Sequence, residues 1–222
     1  MNFFSKTLDR DTLMKLPITI FTLFFFVREL HLLLEFLDRP PLGLEWAWLL
    51  TLTARLALLG FLGLLIFFHA TRSRPINKAG GWEPKISALL GLTFGNLLLL
   101  LDRPPVEPWS EAISTALLIL GNYLCIVVVL HLGKSLSIMA EARKLVTSGP
   151  YRLVRHPLYL AEEIATVGIF FQFFSWPAAI ILLVHFGFQI RRMLNEERIL
   201  GATFPEYTAY AQRTPRLIPG VW

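Results

Sequence analysis

The chain has 222 residues, of which 55% are hydrophobic and only 17% are charged. Soluble domains carry about 25% charged residues, so this composition excludes a disordered chain, a coiled coil and an ordinary soluble enzyme, and it indicates a polytopic membrane protein. The formal charge of +5 would otherwise suggest nucleic acid. In a membrane protein, basic residues more often anchor cytoplasmic loops, and we expect no nucleic-acid partner.

Metal and disulfide chemistry are not expected. Cys125 is the single cysteine of the sequence, which excludes an internal disulfide framework and a cysteine-rich metal site. His31, His69, His131 and His185 show no spacing typical of metal ligands. We therefore assign no metal-binding residue.

Six apolar segments follow one another along the chain, and we expect five to six of them to cross the membrane as helices, since each is near the roughly 20 residues that a bilayer requires. The segments cover residues 14–37, 45–70, 86–101, 109–132, 158–174 and 177–194. Only Ser175-Trp176-Pro177 separates the last two, which predicts a tight helical hairpin. The predicted fold class is an all-α, polytopic membrane helical bundle.

Basic residues are distributed unevenly among the connecting segments. Of the 21 Lys and Arg residues, 17 lie in the N-terminal segment, the second and fourth loops and the C-terminal tail. Arg39 and Arg103 alone lie in the alternate loops, while Arg28 and Arg55 fall within apolar segments. Cytoplasmic loops are enriched in Lys and Arg, so the pattern predicts a multi-pass protein with both termini on the cytoplasmic side.

Polar side chains are concentrated after residue 130. Residues 149–150 are a Gly-Pro turn signal, and Pro157 suits the first position of a helix. His156 and Tyr159 are three residues apart and share one helical face, with Arg155 beside them. Free backbone N–H groups at a helix start favour anions. Together these features predict a polar, aromatic-lined pocket at the cytoplasmic end of the fifth apolar segment.

The predicted hairpin returns the chain to the same pocket. Glu196 and Glu197 follow the sixth apolar segment and should lie beside the Arg-His pair, because the connection is short. Tyr207 and Tyr210 are three residues apart and could form an aromatic face over the pocket. Taken alone, two such tyrosines are more typical of an interfacial aromatic belt.

Two further pairs of charged residues allow more than one interpretation. Arg191 and Arg192, at the end of the sixth segment, are interpreted as interfacial anchors. Glu162 and Glu163 lie near the start of the fifth segment. They are either functional carboxylates within the membrane or residues at the depth of the headgroups, and the sequence leaves both interpretations open.

The combination of these motifs is more specific than any one of them. Gly-Pro-Tyr-Arg at 149–152, Arg-His-Pro-x-Tyr at 155–159, Glu-Glu at 196–197 and Glu-Tyr-x-x-Tyr at 206–210 strongly resemble the isoprenylcysteine carboxyl methyltransferase family. The resemblance covers roughly residues 130–219. Its superfamily also includes phospholipid methyltransferases and, more distantly, sterol reductases.

The resemblance implies an integral membrane methyltransferase that uses S-adenosyl-L-methionine, with its cofactor site on the C-terminal hairpin. Residues 1–132 would form four N-terminal helices facing lipid and acceptor, and residues 133–222 the catalytic region. The cofactor-binding residues implied are Gly149, Tyr151, His156, Pro157, Tyr159, Glu196, Tyr207 and Tyr210. The catalytic residues implied are Arg155, Glu196 and Glu197.

The expected partners are membrane lipids and a lipidic or prenylated acceptor, and the oligomeric state stays open. A carboxylate acceptor would need a guanidinium to orient it, a role suited to Arg155. An ethanolamine-type amine acceptor would instead need a base, a role for Glu196 or Glu197. A nicotinamide-dependent reductase is a weaker alternative, because the chain is short and lacks additional spans.

The charge distribution can be tested with topology reporters. Fusions after Arg39 and after Arg103 should both report the outer side of the membrane, because loops poor in basic residues are translocated. A fusion to the C-terminal tail serves as the control and should report the cytoplasm. A cytoplasmic signal from either of the first two fusions would contradict the six-span arrangement.

Overall fold

The computed structural model describes residues 10–41, 45–105 and 107–220. The described residues form seven α-helices and two very short strands. In chain order they are α1 (Arg10–Leu37), α2 (Trp46–Thr71), β1 (Asn77–Lys78), α3 (Glu83–Thr93), α4 (Pro108–Leu132), β2 (Glu141–Ala142), α5 (Pro157–Gln172), α6 (Trp176–Thr203) and α7 (Tyr207–Arg213). Short 3-10 segments follow α3 at Phe94–Leu100 and α4 at Gly133–Ser135, and another covers Gly149–Arg152.

Three helical segments in the described part of the chain are long and apolar enough to cross a membrane. They are Trp46–Thr71, Pro108–Ser135 and Trp176–Thr203. The predicted fold class, an all-α membrane protein, is confirmed. α5 has 16 residues, fewer than the roughly 20 of a typical span. The count of five to six spans and the sides of the termini stay predictions.

The first two helices are joined by a charged pair within the apolar region. Arg55 on α2 donates from Nη1 to Oε1 of Glu29 on α1 over 2.7 Å. The Glu29 side chain is only 10% exposed. Because charged groups inside a bilayer are costly unless paired, this contact explains how both residues are accommodated in apolar helices.

α4 and α5 approach each other closely through small residues. Gly121 on α4 lies so near α5 that an added Cβ would be 2.6 Å from the backbone nitrogen of Ala165. Ser110 donates from Oγ to the carbonyl oxygen of Phe171 over 2.7 Å at the far end of the same pair. Small residues permit this kind of backbone approach in membranes, where packing drives helix association.

The predicted hairpin is present. α5 ends at Gln172 and α6 begins at Trp176, with Ser175 capping the first turn of α6 through its side chain. α6 continues to Thr203, nine residues beyond the predicted end of the apolar segment. Glu196 and Glu197 therefore lie within the helix and do not follow it, because the polar residues after 194 continue the helix without a proline.

The loops after α2 and α4 meet at one end of the bundle. β1 pairs antiparallel with β2, with Asn77 opposite Ala142 and Lys78 opposite Glu141. Asn77 also donates from Nδ2 to Oγ1 of Thr203, at the end of α6, over 3.2 Å. The sequence shows no strand pattern here, since strands of two residues are too short to produce one.

The C-terminal tail completes this end of the bundle. The backbone N–H groups of Arg155 and His156 donate to the carbonyl oxygens of Pro215 and Arg216 over 2.8 and 3.0 Å. Leu217 is buried beside Tyr159 and Met193. The tail thus fixes the start of α5 against α6, where the motif residues lie.

The close approach of α4 and α5 predicts that a larger side chain at Gly121 destabilises the protein. Gly121→Ala should lower the free energy of unfolding by about 1–3 kcal/mol, because the new methyl group meets backbone atoms that cannot rotate away. Gly187→Ala, on α6, is the matched control, since nothing lies within 4 Å of its added Cβ. Thermal unfolding of both variants in detergent measures the difference. Equal midpoints for Gly121→Ala and the unmodified chain would contradict the packing described.

Candidate active site

A cavity lies at the end of the bundle where the loops, α5, α6 and the tail meet. Seven of the residues that the sequence assigns to a catalytic or cofactor-binding role line it: Tyr151, Arg155, His156, Tyr159, Glu196, Tyr207 and Tyr210. Its apolar wall comes from several helices and the loop after α4, and includes Leu65, Leu92, Leu132, Leu136 and Leu158. The cavity therefore joins a polar, tyrosine-rich end to an apolar surface.

Glu196 and Tyr159 connect α6 to α5 at the cavity. The Tyr159 hydroxyl donates to Oε2 of Glu196 over 2.9 Å. The ring of Tyr159 packs edge-on against His156, with centroids 5.4 Å apart. The guanidinium carbon of Arg192 lies 4.8 Å from the centroid of the same ring. Tyr159 is thereby held by a hydrogen bond, an aromatic contact and a cation–π contact.

Glu197 faces a different direction and does not line the cavity. Its Oε1 lies 2.9 Å from Nη1 of Arg155 and 3.1 Å from Nε2 of His156. Nε of Arg216 donates to both of its carboxylate oxygens, over 3.1 and 3.0 Å. We call this arrangement of Glu197 with Arg155, His156 and Arg216 the Glu197 clamp. It joins α6, the start of α5 and the tail.

The hydroxyl groups of Tyr151, Tyr207 and Tyr210 are not bases at neutral pH. Tyr210 donates from its hydroxyl to the carbonyl oxygen of Tyr151 over 2.7 Å. Its ring lies 6.0 Å from that of Tyr207. Burial raises the pKa of Tyr210 to about 12 and also raises the pKa of Tyr207 and of Tyr151. All three therefore remain protonated at neutral pH.

Gly149 and Pro157 shape the site from outside the cavity. Gly149 has a φ of +58°, and an added Cβ would lie 2.4 Å from the His131 ring. Glycine is therefore required there both by backbone conformation and by space. Pro157 occupies the first turn of α5, directly after His156. Neither residue lines the cavity.

The interpretation of Arg192 as an interfacial anchor is wrong. Its side chain is 5% exposed and lines the cavity. Nη1 donates to Oε1 of Gln189 over 2.6 Å. Gly91 on α3 leaves the space for it, since an added Cβ would meet the Arg192 side chain at 2.2 Å. Arg191, by contrast, is half-exposed and pairs with Glu83 over 2.7 Å.

The two acidic residues near the start of α5 both face protein. Glu162 lines the cavity and accepts from Nε2 of Gln189 over 3.2 Å. Glu163 lies elsewhere, with Oε1 3.0 Å from Nε2 of His185 on α6. The Glu162 side chain is 21% exposed and the Glu163 side chain 11%. Whether they are functional carboxylates within the membrane or residues at headgroup depth stays a prediction.

Glu141 and Arg143 were not identified from the sequence, although both line the cavity. They form an ion pair with each other. Ser137 donates from Oγ to Oε2 of Glu141 over 3.0 Å. Both residues are brought to the cavity by the pairing of β1 with β2, which leaves no periodic signal in the sequence.

Within the described residues there is no group of three or more His, Cys, Asp or Glu side chains suited to a metal. The absence of a metal stays a prediction.

Comparison with known proteins finds a family that this region resembles. Residues 114–202 match the family model described as Isoprenylcysteine carboxyl methyltransferase (ICMT) family. The match covers 89 of the 222 residues, less than half of the chain, and shows that this region is similar to that family. The resemblance drawn from the motifs is confirmed. The matched region contains His156, all of α5 with Tyr159, and nearly all of α6 with Glu196 and Glu197.

Similar curated proteins fall into two groups. The chain is 38% identical over 76 residues to the cobalt-zinc-cadmium resistance protein CzcN of Cupriavidus metallidurans, and 36% identical over 80 residues to the nickel-cobalt-cadmium resistance protein NccN of Alcaligenes xylosoxydans xylosoxydans. It is 32% identical over 120 residues to protein-S-isoprenylcysteine O-methyltransferase B of Arabidopsis thaliana. The matches cover 34%, 36% and 51% of this chain, and 35%, 38% and 61% of the three relatives, less than two thirds of each.

The Glu197 clamp predicts a loss of stability at one end of the molecule. Glu197→Gln should lower the free energy of unfolding by roughly 2–3 kcal/mol, because two guanidinium groups lose a carboxylate partner. The expected loss is smaller than for a fully buried ion pair, since the clamp is only partly buried. The tail after Thr214 should also become sensitive to protease. Glu206→Gln, an exposed change nearby, is the control. Thermal unfolding and limited proteolysis provide the measurements, and an intact tail in Glu197→Gln would contradict the clamp.

Proposed function

We propose that this chain is a membrane methyltransferase that uses S-adenosyl-L-methionine and methylates a lipidic acceptor, with an isoprenylcysteine-like carboxylate as the first candidate. One observation carries the proposal: the family's motif residues from three separate segments line a single cavity that also has an apolar wall. The resemblance to the family and the name of the Arabidopsis relative support the same reaction class. The names of the two metal-resistance relatives mention no methyl acceptor.

The residues that line the cavity fit the methyl donor chemically. S-adenosyl-L-methionine, when bound, supplies an electrophilic methyl group on a positively charged sulfur. The carboxylates of Glu196 and Glu162 suit that positive charge, and the surrounding tyrosine rings suit both a cation and a flat base. Arg143 and Arg192 provide guanidinium groups for the donor's own carboxylate. We propose that these residues, with His156 holding the start of α5, form the cofactor site.

The apolar wall provides a surface for a lipidic acceptor. Leu65 and Leu92 belong to α2 and α3, in the N-terminal part of the chain, and they line the same cavity as the C-terminal motifs. This supports the proposed division in which residues 1–132 face lipid and acceptor and residues 133–222 carry the catalytic groups. An acceptor held on this wall would reach the polar end of the cavity with its reactive group.

A carboxylate acceptor makes few chemical demands on the protein. It is ionised at neutral pH and needs no base, so orientation and exclusion of water supply most of the acceleration. Arg155 lines the cavity while its Nη1 is held by Glu197. A guanidinium fixed in this way can orient a carboxylate through its remaining N–H groups. We assign Arg155 this role.

The two glutamates take different parts in the proposal. Glu196 lines the cavity, so its carboxylate is available to a ligand there. The negative charge of Glu197 is paired with the arginines of the clamp, so Glu197 acts as a positioning residue for Arg155 and His156. The sequence analysis assigned a catalytic role to both glutamates, whereas this proposal keeps that role for Glu196 alone.

N-methylation of an ethanolamine-type headgroup is the second candidate. An amine acceptor must lose a proton, and a carboxylate in the cavity could take it. Glu196 and Glu162 both line the cavity, which is the observation that favours this alternative. Methyl transfer from labelled S-adenosyl-L-methionine to prenylcysteine analogues and to phosphatidylethanolamine, scored by product mass, distinguishes the two candidates. Labelling of neither acceptor, with the protein folded, would refute the proposed function.

Paired substitutions identify the acceptor class more sharply. For a carboxylate acceptor, Arg155→Lys should lower turnover at least about tenfold, because an ammonium cannot replace a two-pronged guanidinium contact. For an amine acceptor, Glu196→Gln should abolish turnover while cofactor affinity is kept, and Arg155→Lys should be mild. Steady-state kinetics and calorimetric cofactor binding supply both readouts.

Arg152→Lys is the matched control for this series, because Arg152 is exposed and precedes Arg155 by only three residues. Its turnover should equal that of the unmodified protein. Unfolding midpoints verify that the Glu197 clamp survives in Arg155→Lys. Near-full methylation of a prenylcysteine analogue by Arg155→Lys would contradict the assignment of Arg155.

A further inference from the structure

A second, open groove lies on the other side of the Glu197 clamp from the cavity. It runs between the end of α6 and α7, and three arginines line it: Arg155, Arg198 and Arg216. Thr208 and Gln212 on α7 add exposed polar side chains. We call this surface the basic groove.

The basic groove has an excess of positive charge. Glu197 is the one carboxylate among its lining residues, and it is already bound by Arg155 and Arg216. Arg198 is exposed, and its Nη1 makes a long 3.5 Å contact to Oδ1 of Asn195 on its own helix. The lining thus has three guanidinium groups and one carboxylate. A cluster of this kind suits a phosphate, which arginine binds through two parallel hydrogen bonds.

The length of α6 places the basic groove at the depth of the lipid headgroups. Its 28 residues span roughly 42 Å, against about 30 Å of hydrocarbon. Trp176 begins the helix and is 86% exposed, as is typical of an interfacial tryptophan. Counted from that end, Arg198 lies roughly 33 Å along the axis, just past the hydrocarbon. Basic pockets beside transmembrane helices at this depth bind anionic lipid headgroups.

We propose that the basic groove binds the phosphate of an anionic phospholipid. Thr208 and Gln212 would donate further hydrogen bonds to the headgroup, and the acyl chains would follow the apolar surface of α6 into the bilayer. Because Arg155 and Arg216 belong both to the groove and to the Glu197 clamp, the bound lipid would also stabilise the wall of the neighbouring cavity. This inference does not depend on the reaction proposed above.

Lipid competition on the intact protein tests the proposal. The detergent-purified chain is incubated with equal amounts of phosphatidylglycerol and phosphatidylcholine, and retained lipids are counted by native mass spectrometry. Phosphatidylglycerol should be retained preferentially. Arg198→Gln should reduce that preference about fivefold, the change expected when one basic residue near an anionic lipid is removed. Neither readout requires turnover, so failure of the methyltransferase proposal would leave this test intact.

Arg213→Gln is the matched control, since it removes the same charge from α7 at an exposed position outside the groove lining. Its lipid preference should equal that of the unmodified protein. An equal loss in Arg213→Gln, or an unchanged preference in Arg198→Gln, would overturn the proposal. Inorganic phosphate is the remaining arm: if it displaces the lipid completely at equal concentration, the groove is a site for free anions and the lipid assignment is wrong.

Discussion

The single carboxylate of Glu197 holds together the end of the molecule where the family's motif residues meet. Arg155, His156 and Arg216 come from two different segments, and all three approach that one group within 3.1 Å. Without it, Arg155, His156 and Arg216 would lose the carboxylate that they share. Since bringing charges out of water is costly unless they are paired, the carboxylate makes this arrangement of α5, α6 and the tail possible.

The neighbouring Glu196 shows how helix geometry divides two identical side chains. Successive residues on a helix are about 100° apart, so adjacent glutamates cannot face the same partner. Glu197 faces the start of α5 and the tail, while Glu196 faces the cavity and accepts a hydrogen bond from Tyr159. The same turn of α6 therefore supplies a group that maintains the fold and a group available to a ligand.

Local motifs could be predicted from the sequence, but the contacts made across the bundle could not. The spacing of His156 and Tyr159 and the short hairpin were sufficient to predict their meeting with the Glu-Glu pair. Arg192 was misinterpreted because its burial depends on the absence of a side chain at Gly91, on a helix a hundred residues earlier. Arg143 was missed because two-residue strands bring it to the cavity. In both cases the environment of the arginine depends on backbone that is distant in the sequence.

The depth of the cavity follows from the unequal lengths of the last two long helices. α5 spans roughly 24 Å, less than the hydrocarbon thickness of about 30 Å, whereas α6 spans roughly 42 Å. Because the two share a short turn at one end, the start of α5 lies beside the later part of α6, and α6 continues past it. Leu158 at that start lines the cavity, as does Glu196 on the extended part. In the proposed reaction, a site at this position would receive a lipid from the bilayer and a charged donor from water.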